Sequence, residues 1–115
     1  MLMMLLIVAL LAAPAFAAPP TTCGAPDDYG RALCAYQRRN FADAEAGFRR
    51  IVEKGEADAQ TLHAMYFLAR TYMKTGHFDE ASTLFIRIYE LDKAFYDTWN
   101  CDFLLGECRR AGGKE

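Results

Sequence analysis

The 115-residue sequence has no Cys-x-x-Cys pair, so it lacks the spacing of a thioredoxin-like exchange centre. It has no Cys-x-x-Cys-His either, which excludes c-type haem attachment. No Gly-rich loop of the kind that cradles a phosphate occurs. An excess of charge of one sign is also missing: 13 Lys and Arg stand against 15 Asp and Glu, for a net charge of −2. No stretch collects the basic surplus that binding to nucleic acid needs. Histidine is scarce, with only His63 and His77, and no Ser or Cys is placed to complete a nucleophile relay with either. Acidic residues such as Glu45, Asp79 and Glu80 read as solvated faces and first-turn charges. These absences argue against an enzyme, a bound cofactor and a nucleic-acid partner.

What is present begins with an apolar run. Residues 1–13 read MLMMLLIVALLAA and are followed by Pro14, Ala15, Phe16, Ala17 and Ala18. A short apolar core ending in small residues at the minus-three and minus-one places predicts a secretory signal peptide over 1–17, cut after Ala17 or, as second choice, Ala18. No Lys or Arg precedes the run, and an uncleaved membrane anchor is the rival reading, although the run is short for a bilayer. Behind it lie an irregular Pro/Thr/Gly segment over 18–26, one small helical domain over 27–111 and a tail over 112–115. The expected location is periplasmic or secreted.

The domain is patterned for helices. Within residues 62–91, Met65, Leu68, Ala69 and Tyr72 form one apolar stripe, and Phe78, Ala81, Phe85 and Ile88 form a second, with Gly76 at the stop between them. A shift of 37 residues upstream aligns Ala32 with Ala69, Phe41 with Phe78, Ala44 with Ala81, Phe48 with Phe85 and Ile51 with Ile88. The same shift downstream aligns Gly106 with Ala69 and Gly113 with Gly76. At the first turn Arg39 stands where the second has Gly76, and Asn40 beside it can cap or take the left-handed conformation. Five helices are predicted, over about 27–38, 41–54, 58–75, 78–91 and 97–110.

Leu68-Ala69, Tyr72, Gly76, Phe78, Ala81, Phe85 and Leu91 stand in the order and at the internal spacing of the tetratricopeptide repeat, an αα-hairpin unit of about 34 residues that this stretch resembles. Lys93 stands where that family usually places Pro, which makes the exit turn less rigid. The resemblance implies an all-α, right-handed solenoid of helical hairpins, with two repeats and a third that stops after its first helix. It also implies a concave surface, lined by the first helix of each repeat, that binds a peptide or helix of a protein partner. On helices one, three and five the outward positions are Tyr29, Tyr36 and Gln37; His63, Tyr66, Arg70, Met73 and Lys74; and Phe103, Glu107 and Arg110. Aromatics mixed with Arg, Met and Lys suit a protein-binding surface. Chaperone-binding members grip a chain terminus with a Lys/Asn clamp, whereas here those places carry Tyr29, Leu33 and Phe67.

Four cysteines, Cys23, Cys34, Cys101 and Cys108, read first as disulfide-bonded in an exported domain. Cys23 can fold back onto helix one, so Cys23–Cys34 is geometrically open. Cys101 and Cys108 share a helix face about 10 Å apart, too far for a disulfide on a regular helix. Sequence neighbourhood still favours the local pattern, Cys23–Cys34 with Cys101–Cys108. The alternative leaves the C-terminal pair reduced or bonded to a partner. A zinc site recruiting His63 or His77 fits no known ligand spacing. An array this short is marginal, because each hairpin buries its face on the next, and each disulfide would add on the order of 2–4 kcal/mol.

Two functions follow. The first is an exported protein-interaction module, an adaptor or scaffold subunit. The second is a thiol- or metal-dependent activity, or a membrane-anchored accessory subunit. Trp99, Phe103, Leu104 and Leu105 on helix five either cap the array against helices three and four or leave a bare side that would form a homodimer.

Overall fold

Capping side chains mark where most of the helices begin. The computed structural model describes residues 23–24, 26–55 and 58–113. The signal peptide expected over 1–17 lies outside these residues. Helix α1, Asp28–Gln37, starts where the Asp27 carboxylate accepts the Gly30 N–H at 3.0 Å. Helix α2, Phe41–Glu53, starts at Asn40, whose Oδ1 accepts the Asp43 N–H at 3.4 Å while its Nδ2 donates to Asp43 Oδ2 at 2.8 Å. Helix α3, Ala59–Lys74, is capped by Asp58, which accepts the Thr61 N–H at 2.8 Å. That backbone bond, helped by the Thr61 side chain, holds the Asp58 carboxyl below its usual range. Helix α4, Phe78–Leu91, follows the Gly76 turn. Each carboxylate or amide cap stabilises its helix by satisfying an N–H that the helix itself leaves open.

The C-terminal part differs from the single helix expected over 97–110. It forms α5, Lys93–Thr98, and α6, Cys101–Ala111. The Asp92 side chain accepts the Phe95 N–H at 3.0 Å and so starts a helix earlier than the apolar pattern shows. Asn100 then takes φ of 56°, a left-handed turn that Asn tolerates, and breaks the chain direction. The Tyr96 hydroxyl donates to Asp102 Oδ1 at 3.1 Å and ties the two short helices together across the break.

The described residues contain these six helices and no strand. Helix α1 packs on α2, α2 on α3, α3 on α4, and α4 on both α5 and α6, with α1 also touching α3. Ring contacts Tyr29–Phe48 and Tyr36–Phe41 pair opposite ends of α1 and α2, and Tyr66–Phe85 with Tyr72–His77 does the same for α3 and α4, so both pairs are antiparallel hairpins. One contiguous core results. Ala44, Phe48, Ala69, Ala81, Phe85 and Ile88 are wholly shielded from solvent, and Ala32 and Ile51 nearly so.

The 37-residue spacing has a backbone counterpart. Arg39, Gly76 and Gly113 stand 37 apart and all turn left-handed, with φ of 64°, 82° and 74°. Asn40 therefore acts as the cap, at φ −88°, and Arg39 takes the left-handed turn. Arg39 has a Cβ that clashes in that region, and its guanidinium lies 5.3 Å from the Phe41 ring, a cation–π contact that offsets part of the strain. Gly47 serves a different need. A Cβ there would stand 2.7 Å from that of Ala32, so α1 and α2 approach more closely than two alanines permit.

Cys23 and Cys34 form a disulfide, with Cα atoms 5.6 Å apart, that pins the N-terminal segment to α1. Cys101 and Cys108 are not bonded to each other, which corrects the expected second pair. Both are free, buried thiols of α6, and Cys108 meets Ser82 of α4. Regular helix geometry over Cys101–Ala111 keeps them two turns apart, beyond bridging distance. Among the described residues, no helix is long and apolar enough to cross a membrane.

Candidate protein-binding surface

Helices α1 and α3 lie side by side, and their aromatic side chains run together into a chain of ring contacts. Tyr29 meets Phe48 edge-on at 5.9 Å, and Phe48 stacks on Phe67 at 5.8 Å. Phe67 touches Tyr36 at 5.5 Å and Tyr66 at 5.1 Å. Tyr66 passes the contact on to Trp99 at 5.0 Å, and Trp99 stacks on Phe95 at 5.4 Å. His63 meets Phe95 and Trp99 edge-on at 5.1 and 4.9 Å. The run thus crosses from α1 through α3 to α5. Edge-to-face geometry aligns positive ring edges with negative faces, and each such pair adds about 0.5–1.5 kcal/mol beyond its burial.

The rings are only partly covered. Tyr29, Tyr36, Phe67, Phe95 and Trp99 are all intermediate in exposure. Phe48, wholly shielded, and Tyr66 are the exceptions. Tyr66 was expected to point outward, but at 6% exposure it is part of the core, because Phe67, Phe85, Phe95 and Trp99 surround it. Its hydroxyl still has an outlet, since Arg70 Nη1 donates to it at 3.0 Å and the guanidinium carbon lies 5.7 Å from the ring centroid. Burial works to lower the Arg70 pKa. The Tyr66 hydrogen bond and the nearby Tyr36 hydroxyl outweigh it, and the net shift is upward. Arg70 therefore stays a cation, although it is half-buried.

His63 is held by Ala59, whose carbonyl lies 2.8 Å from Nδ1. With Tyr29 and Gln60 it lines an open recess of about 280 Å³ at the N-terminal ends of α1 and α3. Met73 is half-buried, and Gln37 and Lys74 are exposed at the other end of the same two helices.

The candidates on α6 form a separate group. Glu107 and Arg110 pair with each other as an exposed ion pair one turn apart. Phe103 is 55% exposed, while Leu105 is buried and Leu104 half-buried in the contact with α4. Cys108 faces Ser82 of α4, and a Cβ at Gly112 would lie 3.5 Å from that of Phe78, so α6 runs antiparallel along α4. Among the described residues the ring contacts end at Phe95 and Trp99 and do not reach these three side chains. The aromatic pair Phe95 and Trp99 was missed as part of the surface. Its spacing of four on a helix was the available signal, hidden because the helix was expected to begin only at 97.

Among the described residues no group of three or more His, Cys, Asp or Glu side chains could hold a metal ion. The free thiols are poorly placed for chemistry. Burial pushes Cys101 up to about 11 and also raises Cys108, where a hydrogen bond to Ser82 opposes the shift. A thiol held protonated is a weak nucleophile and a weak ligand. No protein-family model, curated protein or solved structure matches the chain.

Proposed function

We propose that this protein is an interaction module, an adaptor or scaffold subunit that holds a peptide or helix of another protein against the α1–α3–α5 face. The observation that carries this reading is the ring run from Tyr29 to Trp99, in which Tyr29, Tyr36, Phe67, Phe95 and Trp99 stay half-covered over the buried Phe48 and Tyr66, bordered by Arg70, Met73 and Lys74. Half-buried aromatics with an arginine among them are what concentrates binding energy at protein interfaces. The hairpin stacking is taken as that of a tetratricopeptide-like solenoid, whose first helices line the binding groove. The Cys23–Cys34 disulfide is compatible with an oxidising compartment outside the cytoplasm, in keeping with export through the apolar 1–17 segment.

Reversing the charge of Arg70 and Lys74 together tests the reading. Cross-linking capture from the exporting cell should weaken at least tenfold in R70E/K74E, with the melting temperature within about 2 °C of the parent. Undiminished capture by a folded double variant would remove this face from consideration.

A further inference from the structure

Arg70 is the charged residue of the ring run with no ionic counterpart. Most other described arginines and lysines that are drawn into side-chain contacts meet carboxylates: Arg31 pairs with Asp28, Arg49 with Glu45 (while also donating to the Tyr72 hydroxyl), Lys93 with Asp97 and Arg110 with Glu107, whereas Arg39 lies over the Phe41 ring at an exposed turn. Those pairs are local and solvent-facing. Arg70 is half-buried, and its partners are phenols. Nη1 donates to the Tyr66 hydroxyl at 3.0 Å, and the Tyr36 hydroxyl stands close enough to act on the same guanidinium. No carboxylate of the described residues forms an ion pair with it. Lys74, one helical turn further along α3, adds a second positive charge.

The phenols complete a recognition set. The Tyr66 oxygen accepts from Arg70, and its own proton has no acceptor among the described residues. A guanidinium offers parallel N–H donors that match the two oxygens of a carboxylate, and a hydroxyl proton beside it supplies a further donor. Partly dry aromatic walls strengthen such a charge-assisted bond relative to one in open water. A cation already fixed by packing has lost the conformational freedom that an exposed Arg would give up on binding.

On this basis we propose, resting on the interaction reading above, that Arg70, Tyr66 and Tyr36 form a subsite for the side-chain carboxylate of an internal Asp or Glu in the bound peptide. The choice of an internal residue follows from the rings on either side. Tyr36 and Phe41 continue from the subsite toward α2, and Phe67, Tyr66 and Trp99 continue toward α5. The ligand chain therefore has apolar surface to follow in both directions, and its acidic residue is flanked by aromatic or aliphatic ones.

An array of end-blocked eight-residue peptides tests this on the purified full-length chain. Each member carries one central Glu or its Gln isostere, flanked by varied aromatic and aliphatic residues. A further set has Gln at the centre and a free C-terminal carboxylate. The blocked Glu peptides should bind at least tenfold more tightly than their Gln partners. R70M should erase that preference while still binding the Gln peptides, and Y66F should reduce it several-fold. Retention of the ring-dependent near-ultraviolet circular dichroism would show that both variants are folded. If R70M disturbs that signal, R70K replaces it, which keeps the charge, loses the fork and should lose most of the preference. Equal binding of Glu and Gln peptides, a preference that survives at Arg70 variants, or tightest binding by the free-terminus set would each overturn the subsite while leaving the interaction reading intact. Failure of every peptide to bind would overturn both.

Discussion

Two residues carry backbone and packing demands that their neighbours do not share. Arg39 holds the left-handed turn that Gly76 and Gly113 make at no steric cost. The left-handed penalty is about 1–2 kcal/mol, and the exposed contact with Phe41 returns about 0.5–1 kcal/mol. Arg39→Gly should therefore stabilise the domain by roughly 0.5–1 kcal/mol, seen as a higher urea midpoint with an unchanged slope. Gly47 gives the opposite sign. Alanine gains about 1 kcal/mol of helix propensity at an ordinary interior position. Here its Cβ would stand 2.7 Å from that of Ala32, and overpacking of that kind costs about 1–3 kcal/mol. Gly47→Ala should lower the urea midpoint, and the swap of Ala32→Gly with Gly47→Ala should recover most of the loss. The first of these demands was legible in part, because the repeat offset sets Arg39 against Gly76 but left Asn40 open as the left-handed residue. The second was not, since a glycine inside a helix does not announce which neighbour it must clear.

Helices were legible where caps and stripes agree. Asp27, Asn40 and Asp58 stand at the starts expected, and α4 runs over the predicted Phe78–Leu91. The C-terminal region was misjudged because two short polar signals, the Asp92 cap and the Asn100 turn, outweighed a continuous apolar pattern. Cysteine placement followed the same rule. Sequence neighbourhood suggested a second disulfide against the helical spacing, and a regular α6 keeps its thiols apart and buries them. A thiol titration checks this directly: almost no reaction is expected in the native protein, and two thiols should appear on denaturation without reductant. Four reactive thiols, or none, would contradict the assigned pairing. The Cys23–Cys34 bridge closes a loop of 11 residues, and the chain-entropy relation gives about 3 kcal/mol for a loop of that size. Reduction should accordingly lower the melting temperature by several degrees, read by circular dichroism with and without reductant.

Across the whole molecule, the core is closed by groups that must stay neutral. Burial, helped by the hydrogen bond to Asp102, pushes Tyr96 up to about 12, and burial pushes Cys101 up to about 11. Both are raised above their unfolded values, so their contribution is complete below about pH 9 and is lost as pH climbs through 11 and 12. Urea midpoints should be level from pH 7 to 9 and fall steeply above 10, and Cys101→Ser should not reproduce the Cys101 part of that fall. The same core presents the ring run, whose separate members were visible in the sequence as Tyr29, Tyr36, His63 and Tyr66 but whose continuity depends on α5 folding back against α3. Trp99 is the single tryptophan of the chain, and it sits half-buried where Tyr66, His63 and Phe95 converge. Its fluorescence therefore reports this one surface. Titration with a bound acidic peptide should shift the Trp99 emission saturably and reduce its quenching by acrylamide. Tight binding that leaves both signals unchanged would place the partner elsewhere and contradict the account.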